Sequence, residues 1–85
     1  MNMTEETHEQ IVDEIYRIDT DLSKMISDVG RIFVSLNECE GDPDSLNNLI
    51  SVLDRLHSAL EDLRRAYVKH RIHGRTLGFY REVSE

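Results

Sequence analysis

Apolar residues recur at alternating spacings of three and four on both sides of a single Asp42-Pro43 break. The first run is Ile11, Ile15, Ile18, Leu22, Met25, Val29, Ile32 and Leu36. The second is Leu46, Leu49, Leu53, Leu56, Leu60, Leu63 and Tyr67. A repeat of about 3.5 residues keeps one stripe turned toward a neighbouring helix along its whole length, which makes a coiled-coil seam. The spacing predicts an all-α chain: an antiparallel two-helix coiled-coil hairpin, with helices over about residues 5–38 and 43–73. Residues 1–74 then form the hairpin domain and 75–85 a short C-terminal tail.

The ends of both helices carry their own signals. Thr4 is a suitable N-cap, and Glu5, Glu6 and Glu9 complement the positive end of the first helix. Asp42 as N-cap with Pro43 at the first helical position starts the second. Gly41 suits a left-handed position in the turn. Lys69, His70, Arg71 and His73 favour the negative end of the second helix, and Gly74 suits the residue beyond it. A turn centred near Gly41 pairs residues whose numbers add to about 82. Leu22 then meets Leu60, Ile15 meets Tyr67, and Asp19 falls beside Arg64.

Eighty-five residues with no Trp and 32% charged side chains suit one small helical domain. A chain this short rarely builds a self-sufficient core. Dimerisation of the hairpin into a four-helix bundle is therefore expected. The single cysteine, Cys39, excludes an internal disulfide. No stretch has the length and apolarity of a membrane span, and no basic start followed by an apolar run suggests a leader. The expected location is the cytoplasm, or a host cytoplasm for a phage- or plasmid-encoded chain.

A second apolar stripe, Val12, Ile26 and Phe33, lies beside the first. With Ile50, and with Leu77, Phe79 and Tyr80 of the tail, it is the expected surface for self-association or a protein partner. On the opposite flank Val52, Ala59 and Ala66 repeat every seven residues, which permits close helix approach. His8, His70 and His73 converge in this register, with Glu9 near. They are weak candidates for a metal site or a pH-sensitive latch, and no cofactor is expected.

Net charge is −7, unevenly spread: residues 63–85 hold six bases and two acids. Arg64, Arg65, Lys69, Arg71 and Arg75, interleaved with aromatic residues, are the candidate contacts to nucleic acid. In outline the hairpin is similar to the plasmid Rop proteins, short acidic hairpins that dimerise and bind RNA, but it shares no motif with them. Ile18-Asp19-Thr20-Asp21-Leu22 resembles the opening of helical chorismate mutases, yet Asp28, Val29 and Gly30 stand where that resemblance implies substrate-binding arginine. The expected function is non-enzymatic: a small acidic helical adaptor, regulator or inhibitor that binds a protein partner and itself. The alternative is a dimeric RNA- or DNA-binding regulator using the basic C-terminal end.

Overall fold

A computed structural model describes residues 3–79, so Tyr80 and the residues after it lie outside the described residues. The described residues form two helices and no strand: α1 (Glu5–Glu38) and α2 (Pro43–Thr76). The N-termini form as the sequence predicts. The Thr4 hydroxyl oxygen accepts from the Thr7 N–H at 3.1 Å, and the Asp42 carboxylate accepts from the Ser45 N–H at 2.9 Å. That N–H holds the Asp42 carboxyl below the usual carboxylate range.

Both C-termini close with a Schellman bond, in which the second residue past the cap donates back into the last turn. After α1 the Gly41 N–H donates to the Leu36 carbonyl at 2.6 Å. The left-handed residue is Glu40, at φ 56°, and not Gly41. Gly41 is needed for a different reason: a Cβ there would sit 2.8 Å from the Leu36 carbonyl oxygen. α2 runs one turn further than its last-turn bases suggest. Gly78, at φ 80°, takes the left-handed position instead of Gly74. The Gly78 N–H donates to Arg75 and the Phe79 N–H to Gly74, both at 2.9 Å. Gly74 lies inside the helix and is buried.

The two helices lie side by side in a plate of 59 × 30 × 16 Å. A helix with its side chains is about 10–12 Å across, so the plate is one layer thick. Its seam on α2 is the one the sequence marks: Leu46, Leu49, Leu53, Leu56, Leu60, Leu63 and Tyr67 are all buried or half-buried.

The seam on α1 is turned from the expected one. Ile15, Leu22, Val29 and Leu36 face α2 as predicted, but Val12, Asp19, Ile26 and Phe33 alternate with them. Ile18, Met25 and Ile32 are exposed. α1 carries two overlapping stripes that share every second residue, and periodicity cannot choose between them. The rotation adopted buries the larger Phe33 and brings Asp19 to Arg64. Contacts across the seam keep close to the expected sum of about 82, from Asp19 with Arg64 to His8 with His70 at the open end. Among the described hydrophobic residues only Val12 and Leu60 are buried, each 8% exposed, and Phe33 is half-buried.

The turn makes two opposite predictions. Glu40→Gly removes a left-handed side-chain penalty and should stabilise the fold by about 0.5–1 kcal/mol. Gly41→Ala forces a clash with the backbone and should lower the thermal midpoint. Melting curves of the two variants beside the parent read both.

Candidate functional site

The seam divides the plate's side chains into two flanks. Where α1 contributes Tyr16 and α2 contributes Arg64, the flank is polar. The Arg64 Nε–H donates to the Asp19 carboxylate at 2.8 Å and Nη2 donates to its other oxygen at 3.3 Å. This hydrogen bond, first among the causes, holds the Asp19 carboxyl below the usual carboxylate range; the Arg64 charge and the Ser23 hydroxyl act in the same direction. Ile15, Tyr16 and Tyr67 complete a shallow groove around the pair. The Arg71 guanidinium lies 5.9 Å from the Tyr67 ring centroid, within cation–π range.

The opposite flank is apolar from both helices. Ile18 (39% exposed), Met25 (50%) and Ile32 (51%) lie along α1, one per heptad, and Val52 (40%) stands on α2. By the layer register Ala59 and Ala66, also exposed, continue the α2 side toward the open end. The Val52, Ala59 and Ala66 repeat seen in the sequence is thus one half of a face whose other half was assigned to the seam. A sharper sequence signal was Asp19: one rotation of α1 leaves its carboxylate among solvent-facing residues, and the other gives it Arg64.

At the open end the His8 and His70 rings stack with centroids 3.7 Å apart and planes 10° from parallel. The His8 Nε2–H donates to the His70 carbonyl at 2.8 Å, and the His70 Nε2–H donates to the His8 carbonyl at 3.2 Å. A carbonyl only accepts, so each Nε2 carries its proton. His8 is wholly buried, and Phe79 meets it edge-on at 5.4 Å. The register thus brings His8 and His70 together, while His73 stays exposed. Among the described residues no group of three His, Cys, Asp or Glu side chains is placed to hold a metal ion.

The other site residues distribute as follows. Val12, Ile26 and Phe33 belong to the seam, so the surface expected from them is occupied by α2. Ile50 and Leu77 are exposed. Of the basic end, Arg64 is held by Asp19 and Arg65 by Asp62; Lys69 and Arg75 are exposed. Arg65 and Lys69 flank exposed Val68 and Ile72 on the outer side of α2, in a shallow groove that Glu61 and Arg64 also line. No described helix is long and apolar enough to cross a membrane. The chain matches no family model, no curated protein and no solved structure.

Two substitutions test this geometry. The Asp19–Arg64 pair stabilises the fold fully above about pH 4. That contribution is lost as pH falls through the lowered Asp19 value. Asp19→Asn should therefore be less stable than the parent at pH 7, with the difference closing as pH falls below the usual carboxylate range in denaturant titrations. His8→Ala should cost about 1–3 kcal/mol, through its lost hydrogen bonds and burial. That lowers the melting temperature by about 4–8 °C per kcal/mol, while exposed His73→Ala stays within about 0.5 kcal/mol.

Proposed function

We propose that the chain is a non-enzymatic protein-interaction module, an adaptor or regulator that associates with itself and engages a protein partner. One observation carries this reading: a fold one helix layer thick leaves an apolar flank contributed by both helices facing solvent. Stable domains bury such faces between two layers, and contiguous exposed apolar surface marks association sites. The outer groove of α2 supplies a place for the partner beside that flank. Val68 and Ile72 give it apolar contact, and Lys69 favours an acidic, helical or extended segment. The polar side chains in the seam are engaged within the chain, Asp19 by Arg64 and His8 and His70 by each other's backbone carbonyls, which supports the non-enzymatic reading.

Nucleic-acid binding is the weaker reading, because Arg64 and Arg65 already bind carboxylates of this chain, and the net charge of −7 repels phosphate. A photo-crosslinking residue at Ile72, used in the cell that makes the protein, tests the choice. The expected product is a discrete protein adduct that survives nuclease and is lost with Val68→Asp. A nuclease-sensitive adduct would overturn the reading. So would nucleic-acid affinity that falls steeply with salt and disappears in Arg71→Ala with Arg75→Ala.

A further inference from the structure

The apolar flank identifies its own occupant. We infer that it is covered by a second copy of this chain, related by a two-fold axis parallel to the helices, so that α1 of each copy lies on α2 of the other with both turns at the same end. The inference deepens the self-association reading above and rests on it.

Shape points to this pairing. The flank is bulky along α1, with Ile18, Met25 and Ile32, and small along α2, with Val52, Ala59 and Ala66. A rotation about an axis parallel to the helices leaves every residue at its own height. The register within one chain then also gives the contacts between chains: Met25 lies opposite the second copy's Ala59, Ile18 opposite its Ala66, and Ile32 opposite its Val52. Large side chains meet alanine in the Met25 and Ile18 layers, and Ile32 meets the smaller Val52, as dense packing favours.

Charge points the same way. The edge of α1 beyond the flank carries Thr7, Glu14, Asp21, Asp28 and Ser35 at heptad spacing. The matching edge of α2 carries Thr76, Lys69, Asp62, Arg55 and Asn48. Brought together at equal heights, Glu14 meets Lys69 and Asp28 meets Arg55. The one like-charged layer is Asp21 with Asp62; Glu14, Asp21, Asp28 and Asp62 all also have an arginine of their own helix, namely Arg17, Arg31 or Arg65. Turning the axis perpendicular to the helices reverses all of this. α1 would lie on α1, with isoleucine and methionine crowded together and three acidic positions on each facing edge. α2 would lie on α2, small residue against small residue, leaving a void.

The native cysteine offers a direct test. Cys39 is exposed at the turn end of α1. With both turns at one end, nitroxide labels on the two copies are held by diagonal helices about 14 Å apart in a bundle of ordinary 8–10 Å neighbours. With the turns opposed, the labels are separated by about 50 Å, the length of a 34-residue helix. The expected result is a dimer by sedimentation with a label-to-label distance below about 30 Å. A dimer with a distance near 50 Å overturns this geometry while leaving self-association intact. A monomer at every concentration overturns both.

The packing is tested separately from the fold, because the α2 positions are exposed in the hairpin. Ala59→Arg should raise the dimer dissociation constant roughly hundredfold or more, by burying unpaired charge. Ala59→Met should weaken the dimer about tenfold by overpacking. Adding Met25→Ala to Ala59→Met exchanges large for small across the interface and should recover most of that loss. A double variant no tighter than Ala59→Met alone would refute the pairing of α1 with the second copy's α2.

Discussion

Everything in this fold follows from how α1 is rotated about its own axis against the leucine stripe of α2. The choice is between two sets of residues that share Ile15, Leu22, Val29 and Leu36. One would seal the seam with Ile18, Met25 and Ile32, leaving Asp19 in solvent. The other admits a carboxylate to the seam and answers it with Arg64 at 2.8 Å. A polar residue at one seam position of a coiled coil lowers stability and fixes register. Here the ion pair between Asp19 and Arg64 spans the two helices on the polar flank. It ties the rotation of α1 to the height of α2, and the apolar flank is what that rotation leaves outside.

Much of this was legible in the residues. Thr4 and Asp42 mark the two helix starts because a side-chain oxygen before an acidic first turn satisfies backbone N–H groups that nothing else reaches. The α2 seam was legible because leucine at threes and fours had no competitor. The α1 seam was not, since adjacent stripes have the same period and similar apolarity. Its resolution lies in tertiary partners, a carboxylate and a guanidinium 45 residues apart in the chain. The glycines misled for a related reason. Gly41 and Gly74 look like left-handed caps, but one is required by contact with Leu36 and the other lies within a helix, while Glu40 and Gly78 take the left-handed backbone.

Surfaces were harder to read than helices. Val12, Ile26 and Phe33 form a sparse stripe that looks like a flank in one dimension and proves to be the interior in three. The basic end looked available to phosphate because its carboxylate partners, Asp19 and Asp62, are a helix away or one turn earlier. The grouping of His8 with His70 did follow from the register, although their exchange of hydrogen bonds with each other's backbone could not. That exchange closes the end of the hairpin farthest from the turn, where Phe79, brought round by the Schellman bond after α2, packs against it.

The constant-sum layering has a consequence for how such a chain can change length. Inserting one residue into either arm would slide every layer beyond it and turn that arm by about 100°, carrying its facing stripe out of the seam. Adding seven residues to one arm alone would preserve the facing stripes but leave the tips staggered by two turns. Only matched heptads, one in each arm, extend the plate without disturbing what it hides and what it shows. Homologues of different sizes are therefore expected to differ in steps of about fourteen residues.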